Sequence, residues 1–131
     1  MDTLHIYTRV SSRRQQTEGH SLQVQESIGK KVAKKLGMKS VIVDEGAKSS
    51  TIGYRDVLED VVKVGIETRK IKHLWVQDRS RLYRQHHESA YFRKDYLEKY
   101  GCKFYEGEYG NEVNFDSVDE TLAYDLISRI S

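Results

Sequence analysis

Apolar residues follow two alternating patterns along the chain. Short runs rich in β-branched and aromatic residues cover residues 4–10, 40–44, 73–76 and 102–105, and such runs are typical of buried strands. Between these runs, apolar residues recur every three or four positions, which predicts helices. The alternation of strands and helices predicts an α/β fold with a mostly parallel central sheet.

Four helices are predicted from these repeats. The first begins after Ser21, a residue suited to cap a helix, and ends near Gly37. The second begins at Tyr54, and the third spans residues 87–100, with its tyrosines assigned to the core. The apolar stripe that defines the first helix comprises Leu22, Val24, Ile28, Val32 and Leu36. The lysines of that helix lie off the stripe and are expected on a solvated face.

The fourth helix follows Ser117 and is still running at Ser131. A chain of 131 residues without proline, repeats or linkers fits one domain, which buries roughly two thirds of its surface without disulfides or metals. We therefore expect residues 1–131 to form a single domain that is cut within its final helix.

Composition excludes several classes of protein. The net charge is only +2, which is too small for a generic polycation. Cys102 is the single cysteine and the histidines are scattered, so neither an internal disulfide nor a zinc site is predicted. No apolar run approaches the roughly 18 residues that span a bilayer. We expect a cytoplasmic protein with no metal, no cofactor and no membrane contact.

Candidate chemistry gathers where two predicted strands end. Ser11 follows the first strand, with Arg9 two residues earlier, and Arg79, Arg81 and Arg84 follow the third strand. Such strands often lie side by side in parallel sheets, and ligands bind at their carboxyl ends. Guanidinium groups bind phosphate oxygens bidentately and stay charged. The pattern indicates attack on a phosphodiester, although surface ion pairs with Asp78, Glu88 or Asp95 would also account for the arginines.

No hydrolase signature surrounds this serine. The chain has no Gly-x-Ser-x-Gly elbow, and its histidines carry no motif. Several motifs instead resemble the catalytic domain of serine recombinases, the resolvase/invertase family, and most closely large serine integrases and transposases. They are Tyr7-Thr8-Arg9-Val10-Ser11-Ser12-Arg13-Arg14-Gln15, Glu18-Gly19-His20-Ser21-Leu22-Gln23-Val24-Gln25, Asp44-Glu45-Gly46 with Ser49-Ser50, then Arg55, and Arg81-Leu82-Tyr83-Arg84.

This resemblance implies a resolvase-like three-layer α/β/α fold with a four- to five-stranded sheet and a long C-terminal helix. It implies that Ser11 attacks DNA to give a 5′-phosphoserine link, which conserves the bond energy for rejoining. The residues expected to assist at the phosphate are Arg9, Arg55, Arg81, Arg84 and Gln25. DNA contacts are expected from Arg13, Arg14, Ser49 and Arg79. The implied partners are DNA and further copies of the chain, in a homodimer or tetramer.

One departure from the family pattern leaves alternatives open. Ser80 stands where the family has Asp before Arg-Leu-x-Arg, so either Asp78 takes that acidic role or the role is absent. A shifted register would match Asp78-Arg79 to the family's Asp-Arg, but Leu82 and Arg84 would then lose their places. Two other hypotheses remain. One is a non-catalytic DNA-associated module of the same fold. The other is a flavodoxin-like nucleotide-binding domain, against which stands the lack of a Gly-x-Gly-x-x-Gly or Walker loop in this chain.

Overall fold

The computed structural model describes residues 2–10, 22–47, 57–79 and 86–113. The strands are β1 (Thr3–Val10), β2 (Lys39–Ala47), β3 (His73–Val76), β4 (Lys103–Glu106) and β5 (Asn111–Val113). Helix α1 spans Leu22–Lys35. Helices α2 and α3 each combine an α-helical part with a wider π-helical turn: α2 comprises Leu58–Lys63 and Val64–Glu67, and α3 comprises His86–Phe92 and Arg93–Glu98.

The strands form one sheet in the order β2-β1-β3-β4-β5. The first four strands are parallel, and β5 pairs antiparallel with β4. Strands β1 and β3 are neighbours, with Ile6 opposite Trp75. The prediction that the first and third strands end side by side is therefore confirmed.

Strand β5 is additional to the four strands that the sequence predicted. Residues 107–110 form the turn from β4, and Gly107 and Gly110 adopt left-handed φ angles of 85° and 65°, which glycine tolerates without steric cost. The strand has only three residues and two of them are polar, Asn111 and Glu112. A short polar edge strand lacks the alternation that identifies a strand from sequence.

Helices cover both faces of the sheet, which gives the expected three layers. On one face, α1 contributes Val32 and Ala33 to a core with Leu4, Ile6, Trp75 and Tyr105. On the other face, α2 and α3 cover a second core. That core includes Tyr7, Leu74, Val76 and Phe104 from the strands, and Leu58, Val62, Ile66, Phe92 and Leu97 from the helices.

The buried stripe of helix α1 overlaps the predicted one only in part: Val32 is buried and Ile28 packs against the core, as predicted. Its buried residues are Gln25, Gly29, Val32 and Ala33, whereas Leu36 is 36% exposed. The absence of a side chain at Gly29 lets the helix approach the sheet, because a Cβ there would lie 2.6 Å from Cγ2 of Ile6. The four predicted surface lysines are exposed, as expected: Lys30, Lys31, Lys34 and Lys35.

The assignment of the tyrosines to the core is correct only in part. Of the tyrosines in the predicted third helix, Tyr96 and Tyr100 are partly buried against the core, but Tyr91 is 53% exposed. Among the described helices, none is long and apolar enough to cross a membrane. The predicted helix after Ser117 lies outside the residues that the structure describes.

Candidate active site

Buried polar side chains concentrate at the carboxyl end of the parallel strands. Thr8 and Arg9 lie near the end of β1, Glu45 near the end of β2, and Arg79 three residues after β3, and all four are buried. Gln25 of α1, which is also buried, contacts this edge. Burying polar groups costs free energy unless they are hydrogen-bonded, so the partners of each determine what this edge can do.

Arg9 is held through its backbone by Gln25. The N–H of Arg9 donates to Oε1 of Gln25 at 3.2 Å, and Nε2 of Gln25 donates back to the Arg9 carbonyl at 3.0 Å. Arg9 lies beyond Ile6, the last β1 residue paired with β3. The amide of Gln25 thus replaces the peptide group that a neighbouring strand would supply there, and it fixes the peptide groups on either side of the Arg9 Cα. Arg9 and Gln25, both predicted site residues, are in direct contact.

A bulge in β2 places Glu45 beside this edge. Thr8 pairs with Asp44 but Arg9 pairs with Gly46, so Glu45 is an extra residue in the ladder. Its side chain is 3% exposed. The carboxylate accepts hydrogen bonds from the Tyr7 hydroxyl and from the backbone N–H groups of Val57 and Leu58, each at 3.0 Å. Glu45 therefore connects β1, β2 and the start of α2.

Arg79 is bound by Glu106, the last residue of β4. Its Nε and Nη2 donate to the two carboxylate oxygens at 2.9 and 2.6 Å, and its backbone N–H donates to the same carboxylate at 2.8 Å. Arg79 is 6% exposed. The ion-pair hypothesis named Asp78, Glu88 and Asp95 as partners of the arginines; for Arg79, the structure shows an ion pair with Glu106. The DNA contact expected of Arg79 stays a prediction.

Most of the predicted site residues lie outside the described part of the chain. The structure places Arg9, Gln25, Asp78 and Arg79, and Asp78 is half-buried. The residues outside are Ser11, Arg13, Arg14, Ser49, Arg55, Ser80, Arg81 and Arg84. Val10, which precedes Ser11, ends β1, and Arg79, which precedes Ser80, lies three residues after the adjacent strand β3 at the same edge of the sheet.

Metal ligands and the single cysteine also bear on the chemistry. Within residues 2–10, 22–47, 57–79 and 86–113, no group of three or more His, Cys, Asp or Glu side chains could hold a metal ion. Cys102 is a buried free thiol, and burial raises its pKa to about 12. A thiol that stays protonated is a poor nucleophile, so Cys102 serves as a core residue.

Sequence reasoning missed the contacts of Glu45 and Glu106. Each acid comes directly after a predicted strand, Glu45 after residues 40–44 and Glu106 after residues 102–105, where a buried charge needs a partner. That position was the available signal. The partners could not be read from it, because Val57 is 12 residues and Arg79 is 27 residues away along the chain.

Comparison with known proteins supplies the family. The family model "Resolvase, N terminal domain" matches residues 4–130. The catalytic domain of TP901-1 integrase has a similar structure, with a TM-score of 0.78, 24% identity and coverage of 98% of this chain and 93% of that chain. A resolvase-family site-specific recombinase from Streptococcus pneumoniae gives a TM-score of 0.72, 24% identity and coverage of 99% and 87%.

The two structural similarities establish the fold, and the family model establishes the family. A comparison with curated protein sequences gives no match. The match at residues 4–130 includes strands β1 and β3, whose carboxyl ends carry the buried residues Arg9 and Arg79. The chain therefore belongs to the resolvase N-terminal domain family, and it is a catalytic domain of a serine-type site-specific DNA recombinase.

Proposed function

We propose that Ser11 is the nucleophile of this recombinase domain. Its Oγ attacks a DNA phosphorus, an Oγ–P bond forms, and the P–O3′ bond breaks. The 3′-oxygen leaves with a proton as a free hydroxyl, and the 5′-phosphate stays on Ser11. In the reverse step, the 3′-hydroxyl of an exchanged strand attacks the phosphoserine and restores Ser11. The covalent link conserves the bond energy, so no external energy source is required.

The observation that carries this proposal is the juxtaposition of β1 and β3. Ser11 directly follows β1, Arg81 and Arg84 follow β3 within eight residues of Val76, and these two strands are parallel neighbours. Ligands of open parallel sheets bind outside the carboxyl ends of the strands. In the proposed site, Arg9, Arg81 and Arg84 neutralise the charge that develops on the phosphoryl oxygens, and Arg55 assists them.

Gln25 has a supporting role in this proposal. Both polar atoms of its amide bind the backbone of Arg9, so it fixes the strand that leads to Ser11. Arg13, Arg14 and Ser49 contact the DNA backbone around the cut. Arg79, with its guanidinium on Glu106, supports the turn that leads to Arg81, and any DNA contact it makes is additional.

The proposal includes the assembly on DNA. Recombination of two duplexes cuts four strands, and each phosphoserine link occupies one Ser11. Four copies of the chain are therefore required, which favours two homodimers joined as a tetramer. We further propose that residues 1–131 are one domain of a longer, cytoplasmic protein whose remaining part supplies most of the DNA affinity. A reducing compartment agrees with the free thiol of Cys102.

Trapping the covalent intermediate tests the nucleophile. Full-length protein is incubated with DNA that carries its recombination site, and protein–DNA adducts are resolved on a denaturing gel. Ser11→Ala is expected to abolish the adduct, whereas the matched control Ser12→Ala keeps it, because the adjacent hydroxyl is not the attacking group. An undiminished adduct in Ser11→Ala rejects the assignment. Retained DNA binding with no adduct in the unaltered protein would instead support the non-catalytic module.

A further inference from the structure

We propose that Glu45 is a positioning residue for the recombination reaction. Its carboxylate joins the strand that leads to Ser11 to helix α2, which begins three residues after Arg55. The inference rests on the proposed function of Ser11 and Arg55. It concerns how the two residues are held relative to each other, a role that neither residue type nor motif spacing assigns to Glu45.

The bulge in β2 gives Glu45 its position. Because Glu45 is the extra residue between Asp44 and Gly46 in the pairing with β1, its carboxylate is not constrained by a regular cross-strand neighbour. Bulges bend a strand and redirect a side chain, and they are common next to active sites. Here the redirected side chain lies against Tyr7 and the start of α2.

The contacts of Glu45 use both carboxylate oxygens. Oε1 accepts from the Tyr7 hydroxyl and from the N–H of Leu58, and Oε2 accepts from the N–H of Val57. The first N–H groups of a helix have no acceptor within the helix, and a carboxylate there also interacts favourably with the helix dipole. Glu45 therefore fixes the beginning of α2 from a strand, rather than from the residue that precedes the helix.

Both ends of this connection lead directly to proposed site residues. Tyr7 and Ser11 are four residues apart on one chain segment, and Tyr7 to Val10 lie within β1. Arg55 precedes Val57 by two residues, so their Cα atoms are at most about 7.6 Å apart, since consecutive Cα atoms are separated by about 3.8 Å. A displacement of the start of α2 relative to β1 would thus change the distance between the nucleophile and an assisting cation.

Glu45→Gln tests this role with little change in shape. One amide position of glutamine is an NH2 group, which cannot accept the hydrogen bond from Val57 or from Leu58. We expect the single-turnover cleavage rate at saturating DNA to fall about 10- to 100-fold, the cost of a small misplacement of reacting groups. The dissociation constant for DNA should change less than about twofold, because a side chain that is only 3% exposed is not available for the phosphate contacts that position DNA.

Three variants separate positioning from general destabilisation. Glu45→Asp retains the charge and should recover part of the rate. Tyr7→Phe removes one donor and leaves both helix contacts, so its rate should fall by a smaller factor of about 2 to 5. Glu59→Gln, which removes an ion pair with Lys63 within α2, is the matched control and should cut at the unaltered rate. Hydrogen exchange of residues 57–62 in the full-length protein should increase in Glu45→Gln and stay unchanged in Glu59→Gln.

The outcomes distinguish this inference from the proposed function. If Glu45→Gln and Tyr7→Phe both cut at the unaltered rate while Ser11→Ala forms no adduct, Glu45 has no positioning role and the nucleophile assignment stands. If Ser11→Ala still forms the adduct, the proposed function fails. If Glu45→Gln does not fold, Tyr7→Phe decides, and an unaltered rate in that variant overturns the inference. An equal loss of DNA affinity and of rate would also overturn it.

Discussion

The two ends of the parallel sheet are built differently. At the carboxyl end, Arg9, Glu45 and Arg79 are buried. At the amino end, Lys39, Lys72 and Lys103 lie at or just before the starts of β2, β3 and β4, and all three are exposed. A buried charge needs partners to offset its desolvation, whereas an exposed charge is already solvated by water.

This difference shows where the fold accepts an energetic cost. The amino end would tolerate many sequences, because its charged side chains contribute little to stability. At the carboxyl end, two buried charged groups depend on specific partners from other elements, because Glu45 binds the start of α2 and Arg79 binds the end of β4. The costly end is also the one that carries the proposed chemistry, as expected when a site requires fixed groups.

The largest effect should follow from breaking the Arg79–Glu106 pair. Glu106→Gln removes the carboxylate that accepts three hydrogen bonds from Arg79, and breaking a buried ion pair costs about 3 kcal/mol. Lys103→Gln is the matched control at the other end of the same strand, where we expect a change within about 0.5 kcal/mol. Urea unfolding of the two variants and the unaltered chain measures both free energies.

Equal losses in the two variants would contradict the comparison. The ends of the sheet would then contribute alike to stability, and the burial of Arg79 would have no energetic consequence. A loss confined to Glu106→Gln sharpens the comparison by showing that one carboxylate stabilises the turn after β3.

An intermediate effect is expected at Gln25. Gln25→Ala removes both hydrogen bonds to the buried Arg9 backbone, which should lower the free energy of unfolding by about 2 kcal/mol. Gln23→Ala, an exposed position on the same helix, is the control and should change stability by less than about 0.5 kcal/mol. Comparable losses in both variants would mean that helix propensity, rather than the Arg9 contact, determines the effect.

The sequence predicted the sheet better than the contacts at its edge. Strand β3 has the predicted bounds and α1 ends within two residues of them, since apolar runs and a terminal glycine are local signals. The burial of Gln25 and the exposure of Leu36 differ from the prediction. Those features depend on how closely Gly29 approaches Ile6, and a distance between elements is not encoded in periodicity.

At the candidate site, residue types were predictable but partners were not. The resemblance selected Arg9 and Gln25, which the structure brings into contact. The bulge at Glu45 and the pairing of Arg79 with Glu106 arise from strand register, which is set by the whole sheet. A residue's partner in a parallel sheet lies on another strand, so short-range patterns carry little information about it.

The smallest effect concerns His5, near the amino end of β1. Burial lowers the pKa of His5 below its ordinary value of 6.5, the nearby His73 lowers it further, and a hydrogen bond with the Thr3 backbone opposes both. Asp44 and Lys70 line the same groove as His5. Below pH 6.5, the unfolded chain therefore binds more protons at His5 than the folded chain does. The contribution of His5 to the free energy of unfolding thus falls as the pH falls from 6.5 towards the pKa of the folded state.

His5→Gln removes this contribution. The free energy of unfolding of the variant should decrease less between about pH 7 and about pH 5 than that of the unaltered chain, because the buried imidazole no longer resists protonation. Urea midpoints measured across this range test the expectation. Parallel curves for the two proteins would show that His5 titrates alike in the folded and unfolded states. A steeper decrease in the unaltered chain would show that a partly buried ionisable group also costs stability near the amino end of the sheet, by an amount that depends on pH.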